Sequence, residues 1–232
     1  MKKKATSPYR LVYWLGAGLA LLLIGVLVLI KLAPGKQGGP PPDPERTLIW
    51  LHDPADPAAP AQVIILEESR SQDRLAAVSF TASADLQKTY GGSHSAKAQQ
   101  QLAARVNRQI HHRVFLPYSV VSTLVDAAQG IAIGGRNFTG AEAIAYIKGG
   151  GDMAPDRGAR VLLGLAQAVA GHGIDMTASD GFRLARQVDT DIDLTAIPDR
   201  LTRWSRYGNP TVRSMSGQDF AAVQRALAED SK

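Results

Sequence analysis

Short apolar runs alternate with polar, turn-forming segments through most of the chain. Three runs rich in β-forming residues, TLIWLHD (47–53), AQVIILEE (61–68) and RLAAVSF (74–80), are separated by DPADPAAP and SRSQD. Runs of this length bounded by Pro, Asp and Ser predict consecutive strands, and the last two form a predicted hairpin. Further strands are predicted at 113–116, 131–133 and 211–215.

Apolar residues at helical spacing occupy much of the remainder. Helices are predicted at 94–110, 118–128, 139–147, 156–171, 179–188, 193–206 and 217–229. The third of them has a capping box, because Thr139 precedes Glu142 by three residues. Strands that alternate with helices predict an α/β fold in three layers, with a mixed central sheet between two layers of helices.

The N-terminal region has a different pattern. From Leu11 to Ile30 the sequence LVYWLGAGLALLLIGVLVLI contains no charged residue, and a helix of about 20 such residues spans the hydrocarbon core of a bilayer. The run is longer than the apolar region of a signal peptide, and no A-x-A-like cleavage site closes it. We therefore expect a single-pass transmembrane helix at 11–32, with the N-terminus in the cytoplasm because basic residues precede it.

A segment rich in Pro and Gly follows the apolar run. APGKQGGPPPDPER cannot form a core, so we expect a stalk at 33–46 that holds a domain away from the membrane. The expected organisation is a cytoplasmic tail at 1–10, the membrane helix, the stalk and an extracytoplasmic domain at 47–232.

The net charge of +5 suggests a nucleic-acid partner, but the charge is unevenly distributed along the chain. Residues 1–42 contain six basic residues and no acidic one, which leaves 20 basic and 21 acidic residues in the remainder. The basic character belongs to the membrane flanks, so we expect no nucleic-acid partner. The absence of cysteine excludes disulfide bonds and thiolate zinc sites.

Several clusters of polar residues suggest sites that their spacing does not support. His111 and His112 are adjacent and therefore do not face one metal ion together. The DTDID segment at 189–193 lacks the Gly and Glu that a calcium loop needs, and we interpret it as helix capping. A series of arginines with a spacing near three is interpreted as a solvated helix face that pairs with nearby aspartates, and contact with an anionic lipid or polymer stays open. These arginines are Arg183, Arg186, Arg200, Arg203 and Arg206.

The most informative segment is FTGAEAIAYIKGGGDMAPDRGARVLLGLAQAV, residues 138–169. One helix ends at Lys148 before a glycine-rich turn, and a second begins beside Arg157 and Arg160, which share one face because they are three residues apart. Cations that converge beside such a turn suit a diphosphate, since guanidinium groups bind phosphate bidentately. A helical hairpin with ordinary surface charges is the alternative. Asp152 and Asp156 lie close to these cations in the sequence.

In this region the sequence resembles the LytR-CpsA-Psr family of bacterial envelope proteins. VIILEESRSQDRLAAVSF resembles the opening hairpin of the family, TYGG (89–92) its A-Y-x-G-G segment, and FTGAEAIAYIK its L-x-G-x-x-A-L-x-Y-x-R motif. DRGAR resembles R-x-x-R-Q, and VDTDIDL (188–194) resembles the late T-D-L-S segment. The resemblance implies a membrane-anchored protein that transfers glycopolymers from polyprenyl-diphosphate carriers to peptidoglycan, with Mg²⁺, for which Asp152 and Asp156 are the nearby carboxylates.

The chain departs from the family where the S-x-P-R-D-T signature would follow the third strand. Here the sequence is SFTASA (79–84), so Ala82 and Ser83 replace the Arg and Asp. Lys148 stands at an arginine position and lacks the bidentate guanidinium. The early Asp of the family is missing near Arg46 and Thr47.

The sequence thus predicts a cell-envelope protein that binds a polyprenyl-linked glycopolymer through Lys148, Arg157 and Arg160. Its transferase activity is lost or weakened, or else retained with Mg²⁺. The alternatives are a non-catalytic interaction or regulatory partner of an envelope complex, and a sensor that acts through its short tail.

Overall fold

The computed structural model describes residues 42–56, 59, 61–82, 87, 95–149, 155–192, 200, 203–204, 206–207, 211–215 and 219–229. The membrane helix predicted at 11–32 and most of the stalk predicted at 33–46 lie outside these residues. Within the described residues, no helix is long and apolar enough to cross a membrane.

A six-stranded mixed sheet forms the centre of the domain, in the order β7-β4-β1-β2-β3-β8. The strands β1 and β2, and β2 and β3, pair antiparallel, whereas β1 with β4 and β3 with β8 are parallel. A separate two-stranded hairpin joins β5 and β6. The strands are β1 (Glu45–His52), β2 (Gln62–Ser69), β3 (Arg74–Thr81), β4 (His112–Pro117), β5 (Ile131–Ile133), β6 (Arg136–Phe138), β7 (Asp189–Thr190) and β8 (Thr211–Met215).

Helices cover both faces of the sheet. The helices are α1 (Ser95–Val106), α2 (Tyr118–Ala127), α3 (Gly140–Lys148), α4 (Arg157–His172), α5 (Ala178–Ala185) and α6 (Phe220–Glu229). One face packs against α2, α3, α4 and α5, and the other packs against α1 and α6.

The side chains of β1 alternate between the two faces of the sheet, and this shows why two apolar cores form. Ile49 and Leu51 belong to the cluster beneath α4, whereas Leu48 and Trp50 belong to the cluster beneath α1 and α6. Successive side chains of a strand point to opposite faces, so a strand buried on both faces is apolar without interruption. This explains why the apolar runs predicted strands so well.

Most elements agree with the sequence-based predictions. Each predicted strand is present and its ends lie within two residues of the prediction, although β1 begins at Glu45. The two short strands β6 and β7 were not predicted. The interpretation of DTDID as helix capping is wrong for Asp189, which lies in β7, and for Asp191, which forms ion pairs. The helix predicted at 193–206 and the TYGG segment lie outside the continuously described residues.

The sheet has two ends with different chemistry. At one end, which we call the Asp53 end, β1 and β4 finish together, since His52 pairs with Pro117. The strand β2 begins there, with Gln62 opposite Leu51. At the other end, the Glu45 end, β1 begins opposite the last residues of β2, and Glu45 pairs with Glu68. Ligands of open α/β sheets bind at the carboxyl ends of parallel strands, which here is the Asp53 end.

Candidate anion-binding site

The helix α3 is fixed at its start, and this determines where its C-terminal cation lies. The side chain of Thr139 accepts a hydrogen bond from the amide of Glu142, and the Glu142 carboxylate accepts one from the Thr139 amide. This is the predicted capping box. A Cβ atom on Gly140 would lie 2.6 Å from the Ser122 hydroxyl, so glycine permits the close approach of α3 to α2.

Lys148 ends α3 and reaches the end of β1. Its Nζ atom lies 2.7 Å from Oδ2 of Asp53 and 5.2 Å from the ring centroid of Tyr118. The Lys148 side chain is 44% exposed. The hydrogen bond from Lys148 lowers the pKa of Asp53, and a hydrogen bond from the Ala55 amide adds to this effect. Asp53 therefore remains charged and holds the ammonium group at the Asp53 end.

Arg157 begins α4 and lies against the same end of α3. Its Nη1 atom donates a hydrogen bond of 3.0 Å to the carbonyl of Tyr146, and its Cζ atom lies 4.8 Å from the Tyr146 ring centroid. Tyr146 in turn packs against Phe138, with 5.2 Å between the ring centroids. A Cβ atom on Gly149 would lie 3.9 Å from Nη1 of Arg157, so the guanidinium lies beside the residue that follows Lys148.

Arg160 lies one turn further along α4 and has a different partner. Its Nε atom donates a hydrogen bond of 2.6 Å to Oδ2 of Asp156, and its side chain is 49% exposed. The hydrogen bond with Asp156 raises the pKa of Arg160. A guanidinium group has five donors and an ammonium group three, so each of these cations keeps donors for an incoming anion.

The structure thus places Lys148 and Arg157 at the junction of α3 and α4, with Lys148 directed to Asp53 and Arg157 to Tyr146, and places Arg160 one turn away. The three cations do not share one partner. Asp152 lies outside the described residues. Asp156 is engaged by Arg160, and the described residues contain no group of three carboxylate or histidine side chains that could hold a metal ion. The described carboxylates therefore do not by themselves form a Mg²⁺ site.

Two residues of this site were not predicted from the sequence. Asp53 was assigned only to the predicted strand at 47–53, and its partner Lys148 is 95 residues away. Gln62 lies at the start of β2, where its buried side chain contacts both α3 and α4. No local pattern identifies either residue, because their partners are distant in sequence.

Ala82 shows the effect of the departure from the family signature. It is 4% exposed and packs in the cluster that includes Leu48 and Trp50. Its side chain therefore faces the layer formed by α1 and α6, whereas Lys148 and Arg157 lie on the opposite side of the sheet.

The Glu45 end contains a second group of charges, and these are buried. The side chain of Glu45 is 2% exposed and contacts Arg70 at 2.8 Å, Nε2 of His112 at 2.8 Å, and Arg200. Burial alone would raise the pKa of Glu45, but the hydrogen bond from His112 and the charge of Arg200 outweigh it and lower the pKa to about 2.

Two more glutamates are buried beside it. Glu67 accepts hydrogen bonds from Arg46 at 2.6 Å and from Arg74 at 3.3 Å. Glu68 is bound by three side chains of the C-terminal region: Arg203 at 2.7 Å, Trp204 at 3.0 Å and Tyr207 at 3.2 Å.

The interpretation of the arginine series as a solvated face is therefore wrong for Arg200 and Arg203. Arg200 is 8% exposed, and both residues pair with buried glutamates of the sheet instead of nearby aspartates. Arg183 agrees with the prediction, since it is 68% exposed and pairs with Asp180. His111 and His112 also bind different partners, because His111 accepts a hydrogen bond from the Arg46 amide.

A narrow apolar cavity lies between the sheet and α4. Its walls come from β1, β2 and β3, from α4 and from Trp204. The lining residues are Ile49, Ile64, Leu66, Ala77, Ala159, Leu162, Leu163 and Trp204. Arg157 and Arg160 are at the N-terminal end of the same helix.

No family model matches the sequence, and no curated protein matches it closely enough to count as a relative. Solved structures do match the fold. The Lin1025 protein of Listeria innocua is 15% identical, with a TM-score of 0.61 over 81% of this chain and 98% of that one. TagU of Bacillus subtilis is 14% identical, with a TM-score of 0.55 over 82% of this chain and 98% of that one. TagT of Bacillus subtilis is 11% identical, with a TM-score of 0.60 over 84% and 94%.

TagU and TagT are structures of the LytR-CpsA-Psr family, the family that the sequence motifs resemble. At these identities the likeness establishes the fold alone. The chain has the mixed α/β fold of these proteins, with a cationic group at the carboxyl ends of β1 and β4.

Proposed function

We propose that this chain is a membrane-anchored protein of cell-envelope assembly whose extracytoplasmic domain binds a polyprenyl-diphosphate-linked glycopolymer. The observation that carries the proposal is the position of Lys148, Arg157 and Arg160. They lie where α3 ends and α4 begins, at the carboxyl ends of β1 and β4, in a fold shared with TagU and TagT of Bacillus subtilis.

The contacts of the three cations suit reversible anion binding. Asp53 and Asp156 each neutralise one cation at the surface, where an ion pair contributes roughly 0–1 kcal/mol to stability. A diphosphate carries more charge than one carboxylate and offers several acceptor oxygens. It can therefore replace the carboxylates without disturbing the fold.

The apolar cavity beneath α4 offers a place for the lipid part of the ligand. Its lining is aliphatic apart from Trp204, and α4 connects it with the cations at the N-terminus of that helix. The cavity is narrow, so a prenyl chain would enter only if α4 moved away from the sheet. An anchor at 11–32 would keep the domain near the leaflet that holds such lipids.

A non-catalytic binding protein is the second candidate, and two observations favour it. Ala82 replaces an arginine and is buried away from the cations. The described carboxylates do not form a metal site, so Mg²⁺ held by Asp152 and Asp156 remains a proposal, and no step here depends on it. A partner subunit of an active envelope transferase would need only the binding.

The proposal is tested with the full chain in lipid nanodiscs and farnesyl diphosphate as the probe, titrated by calorimetry with and without Mg²⁺. Lys148→Met should weaken binding about tenfold, because a hydrogen bond to a charged group contributes roughly 1.5–3 kcal/mol and this one is partly exposed to water. Lys97→Met is the matched control, since Lys97 is exposed on α1 in the opposite layer.

The same titration separates the two candidates. Binding without Mg²⁺, together with no transfer when a lipid-linked glycan and peptidoglycan are supplied, supports the non-catalytic protein. Mg²⁺-dependent transfer of the glycan phosphate to a peptidoglycan hydroxyl, with polyprenyl phosphate as the leaving group, supports a transferase. If the wild-type chain does not bind farnesyl diphosphate under either condition, the proposed function is wrong.

A further inference from the structure

The side chain of Gln62 connects the two helix ends that carry Lys148 and Arg157. Its Oε1 atom accepts a hydrogen bond of 2.8 Å from the amide of Gly158, and its Nε2 atom donates one of 3.3 Å to the carbonyl of Ile147. Both contacts are buried, and Gln62 is 6% exposed. One amide group thus bridges the last turn of α3 and the first turn of α4.

Both partners are backbone groups that a helix cannot satisfy by itself. The last carbonyls of α3 and the first amides of α4 have no intrahelical partner. Asp156 precedes α4 but its side chain makes no capping hydrogen bond. Gln62 supplies the missing acceptor for the Gly158 amide through Oε1. Its Nε2 atom supplies a donor for the Ile147 carbonyl.

The consequence is a fixed spacing between the two backbone segments that carry the cations. Ile147 directly precedes Lys148, and Gly158 directly follows Arg157. Gln62 itself lies in β2, which is paired with β1 on one side and with β3 on the other. A residue of a central strand therefore holds the backbone of both cationic residues in one frame.

Gly158 is complementary to Gln62. A Cβ atom at this position would overlap Oε1 of Gln62 and would lie 2.8 Å from Cδ1 of Leu51. The absence of a side chain at Gly158 is therefore what allows the Gln62 amide to reach the helix backbone.

We propose that Gln62 is a positioning residue that sets the spacing of Lys148 and Arg157 and so makes the site select a diphosphate over a single phosphate. This inference rests on the proposed function. A single phosphate can be bound by one cation, and its affinity depends little on where the second lies. A diphosphate bridges both, so its affinity depends on their spacing.

The test compares inorganic pyrophosphate with inorganic orthophosphate, titrated by calorimetry into the full chain in nanodiscs. Gln62→Met removes both hydrogen bonds and leaves the net charge unchanged. A hydrogen bond to a charged group contributes about tenfold or more to affinity, so loss of the second contact should lower pyrophosphate affinity about tenfold and orthophosphate affinity less than threefold. A residue with a merely structural role would not change the ratio of pyrophosphate affinity to orthophosphate affinity.

Gln99→Met is the matched control. Gln99 also uses its amide twice, since Nε2 donates to the Ile110 carbonyl at 2.9 Å and Oε1 accepts from Arg113 at 3.4 Å. It lies on α1, in the layer opposite α3 and α4. This variant should keep the wild-type ratio of the two affinities.

Gln62→Leu provides a second variant if Gln62→Met does not fold by circular dichroism. It also removes both hydrogen bonds without adding a charge, so the selectivity should fall here as well. Wild-type selectivity in a folded Gln62 variant, or equal losses for both anions, would overturn the positioning role while the proposed function stands. Absence of pyrophosphate binding in the wild-type chain would overturn both.

Discussion

The two ends of the central sheet each gather acidic and basic side chains, but in opposite ways. At the Glu45 end the carboxylates of Glu45, Glu67 and Glu68 are 1–3% exposed, and each one has at least two partners. At the Asp53 end the pairs are single, and Lys148 and Arg160 are 44% and 49% exposed.

The difference separates charges that hold the fold from charges that are available to a ligand. A buried carboxylate cannot lose its partners without a large desolvation cost, so the Glu45 end is fixed. A half-exposed pair exchanges its partner at little cost. Burial and the number of partners, rather than the presence of arginine, distinguish the two regions.

The largest expected effect comes from neutralising the Glu45 end. Glu45→Gln keeps the shape of the side chain but leaves Arg200, whose side chain is 9% exposed, without its counter-charge. Removing one partner of a buried ion pair costs about 3–5 kcal/mol, which urea unfolding would measure. Asp180→Asn, which breaks the exposed pair with Arg183, should cost less than about 1 kcal/mol.

Pyrophosphate affinity should remain within about twofold of wild type in folded Glu45→Gln protein, because the two ends are separate. A loss of stability below about 1 kcal/mol would show that the Glu45 end is not the fixed region.

The pH dependence of stability should follow from the same end. The pKa of Glu45 is lowered from 4.5 to about 2, so its contribution is complete above pH 4.5 and is lost as the pH falls toward 2, on the order of 3 kcal/mol. The pKa of His112 is raised above 6.5, first by Asp191 and then by Glu45. Its contribution is complete below pH 6.5 and is lost as the pH rises through the raised value.

Urea unfolding should therefore show stability falling as the pH drops from about 4.5 toward 2, and the contribution of His112 should be lost above pH 6.5. His112→Gln should remove the His112 contribution on the alkaline side and reduce the loss on the acid side, because the hydrogen bond from His112 also lowers the pKa of Glu45. Stability that stayed constant between pH 2 and 5 would contradict the assignment of Glu45.

Crowding the Asp53 end should have an intermediate effect. Gly158→Ala introduces a methyl group against Gln62 and Leu51, and overpacking costs roughly 1–3 kcal/mol. Pyrophosphate affinity should fall along with the unfolding free energy. Gly171→Ala is the control, because Gly171 belongs to the same helix and a Cβ atom there would meet nothing within 4 Å. This substitution should be neutral or slightly stabilising.

The smallest effect concerns Asp53, the competitor for Lys148. Asp53→Asn removes the negative charge but keeps the shape of the side chain. An incoming anion then no longer competes with a carboxylate for the Lys148 ammonium group. Pyrophosphate should bind about two- to fivefold more tightly in EDTA, the range of an exposed ion pair. Weaker binding in this titration would show that Asp53 supports the anion instead of competing with it.

Sequence patterns predicted the layers of the fold but only part of the site. The strands around Trp50, Ile64 and Val78 were evident because they are buried on both faces and apolar throughout. The strands β6 (Arg136–Phe138) and β7 (Asp189–Thr190) escaped prediction because they are short and polar, and pairing alone defines them.

The site residues follow the same rule. Lys148 and Arg157 were predicted because they flank one glycine-rich turn. Gln62 was not, because its partners are 85 and 96 residues away. The burial of Arg200 could not be foreseen either, since its counter-charge Glu45 is 155 residues distant.

The most direct test of this contrast is NMR of the arginine side chains in the isotope-labelled full chain, titrated with pyrophosphate. The Nε–Hε signals of Arg157 and Arg160 should shift in proportion to bound ligand, while those of Arg46, Arg200 and Arg203 stay unchanged. Shifts at Arg200 and Arg203 with none at Arg157 and Arg160 would contradict the assignment of the anion site to the Asp53 end.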